Sequence, residues 1–170
     1  MSSPSMSKAI SELPKLLDNL AHLLRKGEVN AQDREIDAEV FLNARLAPDM
    51  WPLKKQVQIV AALCKNAPYR AAGTKAPNYE CSPESFEACY DLIERAKADI
   101  AKVPAKDLDG REDISFTITI SRGEREFTGL SYLADFTLPN VHFHTTTAYN
   151  ILRSNGVPLG KLDYFGETKT

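Results

Sequence analysis

The chain has 170 residues, Lys and Arg numbering 21 against 23 Asp and Glu, a formal net charge of -2, and 43% hydrophobic residues. That length is one domain's worth of core, and the composition excludes wholesale disorder and fibrous architectures. The absence of a basic surplus argues against a dedicated nucleic-acid binder, which needs cations to neutralise phosphates. Residues 1–170 are therefore read as a single domain, with residues 1–6 and 167–170 as flexible ends.

Apolar residues Ile10, Leu13, Leu17, Leu20 and Leu24 recur at three- and four-residue steps, which predicts a first helix from about Ser7 to Lys26. Pro14 marks a bend or a later start, and Gly27 is the expected stop. A short helical stretch follows over Ile36 to Leu46. The second helix is expected to open at Pro52, with Leu53, Gln56, Val57, Val60, Leu63 and Cys64 on one face and an end near Gly73. A third helix is expected from an N-cap at Ser82, through Phe86, Cys89, Tyr90, Ile93 and Ile100, to Pro104.

Between Ile114 and Phe127 the periodicity changes to two: Ile114, Phe116, Ile118 and Ile120 alternate with Ser and Thr, and Gly123 supplies a turn. This predicts one β-hairpin. Helical spacing returns from Gly129 to Asn155 through Leu133, Phe136, Asn140, His144, Thr147 and Ile151, with a bend at Pro139 and a stop at Gly156. The fold class is mainly α, four long helices with a hairpin before the last.

Cys64, Cys81 and Cys89 match no metal or disulfide spacing, no basic and apolar leader opens the chain, and the uncharged stretch Phe136–Leu152 holds too many polar groups for lipid. A cytoplasmic setting without membrane contact is expected. No phosphate loop, nucleophile elbow or zincin motif occurs. Chemistry concentrates instead on the last helix. His144 points inward with Asn140 one turn earlier, whereas His142 lies about 200° around the axis and cannot share an ion with it from a regular helix, an exclusion that a bulge at Pro139 would alter. Gln56 is a polar residue on an apolar face of the second helix. Buried polar groups need partners, so His144, Asn140 and Gln56 form either a structural cluster or a small-molecule site with His144 as acid or base. Arg45 and Asp49, before the second helix, are either an ion pair with a cap or substrate contacts. Tyr149, on the surface of the last helix beside Arg153, serves packing, a carboxylate or a partner subunit. His22 falls off the first helix's stripe and is expected to be solvated.

The segments Leu42-Asn-Ala-Arg-Leu-Ala-Pro-Asp-Met50, Pro52-Leu53, Gln56-Val-Gln58, Leu138-Pro-Asn140, Phe143-His144, Thr147-Ala-Tyr149, Ile151-Leu-Arg153, Asn155-Gly-Val157, Gly160-Lys161 and Asp163 together resemble the DUF1993 family of uncharacterised proteins, across nearly the whole chain. That family is similar to the DinB/YfiT-like putative metalloenzymes. The resemblance implies a four-helix bundle, a homodimer, thiol-transfer, isomerisation or hydrolysis chemistry, and in the DinB pattern a metal held by three histidines. In that register His144 matches one histidine, while Asn140 and Gln56 stand at the other two positions. One imidazole and two amides make a poor set for zinc or nickel. The expectation is a small-molecule site without metal or other cofactor, catalytic residue His144, and Asn140, Gln56, Asp49, Arg45 and Tyr149 as substrate contacts.

Overall fold

The computed structural model describes residues 5–79, 82–120 and 122–166. Most of the expected flexible ends, together with Cys81, lie outside them. The chain begins with a short helix α1 (Met6–Ile10), then α2 (Leu13–Asp33), α3 (Ala38–Asn43), α4 (Leu53–Ala71) and α5 (Phe86–Ala101). A single 3-10 turn leads to strands β1 (Ser115–Ile120) and β2 (Gly123–Thr128). The last third holds α6 (Gly129–Ser131), a π turn over Tyr132–Thr137, α7 (Leu138–Ser154) and α8 (Lys161–Tyr164). The protein is mainly helical with one antiparallel hairpin.

The long helices meet over a shared apolar core. α4 packs against α5 on one side and α7 on the other, and α2 packs against α5. Leu17, Leu20 and Leu24 of α2, Val57, Val60 and Cys64 of α4, Cys89 and Ile93 of α5, and Val141, Ala148 and Ile151 of α7 are all buried there. No helix among the described residues is long and apolar enough to cross a membrane.

Three helix ends share one construction. α4 and α7 stop at Gly73 (φ 72°) and Gly156 (φ 91°), where the next amide reaches back five residues: Thr74 N–H to the Tyr69 carbonyl at 2.8 Å and Val157 N–H to the Leu152 carbonyl at 3.1 Å. Glycine enters the left-handed region without a Cβ penalty, and the reach-back bond satisfies an orphan carbonyl. α2 ends the same way, Ile36 N–H on the Ala31 carbonyl at 2.9 Å, but the left-handed residue is Glu35 (φ 52°). The expected stop at Gly27 is thus corrected. Gly27 is buried inside the helix, where a Cβ would come 2.7 Å from Leu152 Cδ2, so it admits α7 rather than ending α2. Pro14 sits in the first turn of α2, which makes it a start and not a bend.

Two further expectations shift. The cap of α5 is Ser85, whose hydroxyl accepts from Ala88 N–H at 3.0 Å, in place of Ser82. At the opening of α4 the cap position belongs to Pro52 and no side chain caps it; the Leu53 amide donates instead to the Ala44 carbonyl at 3.0 Å. The hairpin forms as read, with Phe116 opposite Phe127 and Ile118 opposite Arg125, though Ile114 is exposed ahead of it. Its aromatic face lies on the π turn: the rings of Phe116 and Phe127 meet Tyr132 at 5.4 and 5.5 Å, edge on.

The bend expected at Pro139 takes the form of that π turn. Proline lacks a donor and its ring crowds the carbonyl four residues back. Widening the preceding turn, with Leu138 N–H donating to the Leu133 carbonyl, relieves both demands and places Pro139 in the first turn of α7.

Glu35 is exposed and carries the cost of a left-handed backbone, so Glu35→Gly is expected to raise stability by about 1 kcal/mol. Gly129 is the opposite case. A Cβ there would meet the Arg111 carbonyl oxygen at 2.5 Å, and Gly129→Ala is expected to lower stability by about 1–3 kcal/mol. Urea unfolding of the two variants checks both signs.

Candidate functional site

The loop joining α3 to α4 presents Trp51. Its shape is held by the Arg45 guanidinium donating to the Met50 carbonyl and by the Leu53 amide closing onto Ala44. Gln56, one turn into α4, adds the third tie: its Nε2 donates to the Trp51 carbonyl at 2.8 Å. That bond orients the amide, directing Oε1 at His144 of α7, where it lies 2.7 Å from Nδ1. An amide oxygen only accepts, so Nδ1 carries the imidazole proton and Nε2 keeps the lone pair.

His144 is only 8% exposed, and burial pushes its pKa down, which keeps the ring neutral at physiological pH. Two aromatic side chains flank it. The Trp51 ring stacks at 6.2 Å and 22°, and the Phe143 ring stands edge on at 5.2 Å. Both are more than half exposed, at 53% and 58%. The result is a neutral imidazole at the base of an exposed aromatic rim. The sequence reading missed these two residues as neighbours of His144. Trp51 beside Pro52, immediately before a helix whose first turn carries an inward Gln, was the available signal.

The other expected residues are distributed around this point. Asn140 is half-buried and its amide donates to the Phe136 carbonyl at 2.6 Å, so it is engaged with the π turn. Arg45 supports the Trp51 loop through Met50, and no Arg45–Asp49 ion pair occurs among the described residues; Asp49 is exposed. Tyr149 faces the C-terminal segment, its hydroxyl on the Leu159 carbonyl at 3.4 Å and its ring edge on to Tyr164. Arg153 donates to the Val157 carbonyl at 3.1 Å. His142 lies away from His144, with Nδ1 3.2 Å from the Tyr164 hydroxyl. His22, expected to be solvated, instead sits 3.3 Å from Asp163; Lys26 at 2.7 Å and the Gly160 amide at 2.7 Å, with His22 adding to them, pull the Asp163 pKa down to about 2. Two clefts described on the surface, one along α4 and one between α2 and α5, do not include His144.

The fold has a solved counterpart. The crystal structure of a DinB family member protein from Shewanella denitrificans is similar to the chain with a TM-score of 0.85 and 31% identity, covering 95% of this chain and 91% of that one. A family model described as a domain of unknown function, DUF1993, matches residues 7–165, and the chain belongs to that family. None of the curated proteins matches it.

The three-histidine metal site implied by the DinB resemblance can be tested against the donors present. Gln56 spends Oε1 on the His144 proton and Nε2 on Trp51, and Asn140 spends its side-chain NH2 on Phe136, which leaves Oδ1 as the one amide oxygen beside the imidazole. Among the described residues no group of three or more His, Cys, Asp or Glu side chains is placed to hold a metal ion. One imidazole nitrogen and one amide oxygen do not make a zinc site.

Because the folded imidazole titrates below its usual 6.5, acidification protonates the unfolded chain first. Stability present above 6.5 is therefore expected to fall as pH drops toward the folded value, and His144→Asn is expected to flatten that slope. Urea unfolding of the two proteins between about pH 5 and 8 measures it, with the variant absorbing the common contribution of the other histidines.

Proposed function

We propose that the protein is a DinB-like helix bundle that processes a small molecule on the face where α4 meets α7, with neutral His144 accepting a proton through Nε2. The observation that supports this is the Gln56 amide, bonded at 2.8 Å to Trp51 and at 2.7 Å to His144. It fixes one tautomer and orients a lone pair, which is what a general base requires. A histidine kept neutral by burial fits proton abstraction from a nucleophile or a carbon acid, so transfer, isomerisation and hydrolysis are the reaction classes it serves. Trp51 and Phe143 supply flat apolar walls for the substrate body, Asn140 offers its side-chain oxygen one turn before His144, and Asp49 contributes a charge at the edge of the loop.

A second reading has its own observation. Trp51 and Phe143, flanking His144, are exposed apolar side chains, and in a symmetric homodimer such a patch meets its own copy. In that reading the His144–Gln56 pair sets helix register and the aromatic rim is an interface. A cytoplasmic setting accords with Cys64 and Cys89 being free thiols.

Screening a library of small fragments by protein-observed NMR separates the readings. Ligands are expected to move the Trp51 indole and His144 ring signals, and Gln56→Glu is expected to raise the His144 pKa because a carboxylate partner favours the imidazolium. Fragment binding that leaves both rings unmoved, combined with a dimer in sedimentation that Trp51→Ala dissociates, would favour the interface.

A further inference from the structure

α4 carries a second constellation on another face. Lys55, Ile59, Ala62 and Asn66 follow at three- and four-residue steps, with Gln58 and Lys65 beside them, and this stripe lies about a quarter of a turn from Gln56. Opposite it runs the segment from Lys75 to Tyr79. Between the two is a cleft of about 380 Å³.

The cleft is built rather than incidental. Lys65 is 4% exposed, and its ammonium donates to the Pro77 carbonyl and lies 4.1 Å from the centre of the Tyr79 ring. Tyr79 is anchored in turn by donating its hydroxyl to Asp99 of α5, and Arg95 sits 4.8 Å from the same ring. Segment and helix are therefore locked together through one buried lysine and one tyrosine. Asp99 is itself buried and holds Lys102 at 2.6 Å, so its charge is already divided.

The lining shows what the cleft selects. Lys55, Lys65 and Lys75 border it with Asn66 and Asn78, and no described lining residue is a carboxylate. In a chain of net charge -2 this is a local excess of cations. Lys55 bonds the Gln58 side chain at 2.7 Å and Lys65 bonds Pro77, but an ammonium has three donors, so both keep capacity to spare. Burial pulls the Lys65 pKa down, Asp99 opposing that and Arg70 and Arg95 adding to it. A bound anion would relieve this penalty, while Ile59, Ala62 and Pro77 accept a short carbon skeleton.

We infer that the cleft between α4 and residues 75–79 is a binding site for a compact organic dianion, a phosphate monoester or a dicarboxylate, with Lys65 as its buried anchor and Lys55 and Lys75 as its rim. It is separate from the His144 face, and neither reading requires the other.

Titrating the intact chain with inorganic phosphate and, separately, with glutarate under NMR observation tests this. Saturable shifts are expected in residues 55–66 and 75–79, with the stronger of the two anions marking the headgroup the site prefers. The double variant Lys55→Gln/Lys75→Gln, altering only partly buried or exposed side chains, is expected to bind about tenfold more weakly with its melting unchanged. Lys65→Met reports on the anchor where it folds, and should abolish saturation. Unsaturable shifts with both anions, or saturation at the same affinity in the double variant, would overturn the inference.

Discussion

A buried carboxamide has a donor end and an acceptor end, and neither tolerates the wrong partner. Gln56 sits at 2% exposure where α4 packs against α7, so its two ends must both be answered within the protein. Trp51 answers one with a carbonyl and His144 answers the other with a ring N–H. Three elements are tied at once: the loop before α4, α4 itself and α7. Slip α7 by one residue and the imidazole leaves the amide; reshape the loop and the amide turns over, which would reverse the tautomer of His144. The position of the aromatic rim and the identity of the basic nitrogen follow from this one pair of bonds.

Much of the fold was legible because its signals are local. Periodicity located α2, α4, α5 and α7, and the alternation at Phe116, Ile118 and Ile120 located the hairpin. Gly73 and Gly156 mark helix ends because a left-handed residue is a local backbone need. Gly27 misled for the same reason: its role is a close approach to Leu152, over a hundred residues away in sequence, and no local pattern distinguishes a packing glycine from a capping one. Glu35, which does the capping, carries no signal, since a glutamate is an unfavoured residue for that backbone.

The site was legible in part. An inward histidine and an inward glutamine at the right steps were readable, and the structure joins them. Asn140 lies on the same stripe but answers to the π turn, its side-chain NH2 donating to the Phe136 carbonyl, a contact that helical spacing alone does not announce. The stacking of Trp51 on His144 depends on the path of a nine-residue loop, which periodicity does not describe. Lys65 was hidden for a related reason. On α4 it lies next to the buried stripe, and only the return of the Lys75–Tyr79 segment, which carries no regular secondary structure, turns it into a lysine with an enclosed ammonium.

The π turn has a consequence for how this chain can change over time. A turn of that kind accommodates one residue more than α-helical geometry would over the same rise. The segment Tyr132–Thr137 thus behaves as a phase shifter between the hairpin and α7. Deleting a single residue there would yield a smoother helix, yet it would swing the hairpin by about 100° around the helix axis relative to His144. Phe127 and Tyr132, which move with the hairpin, would lose the Phe136 ring, and Tyr132 would lose Arg70 at the end of α4. Length in this short stretch is therefore constrained more tightly than composition: substitutions that keep an apolar ring can be absorbed, whereas a change of register cannot.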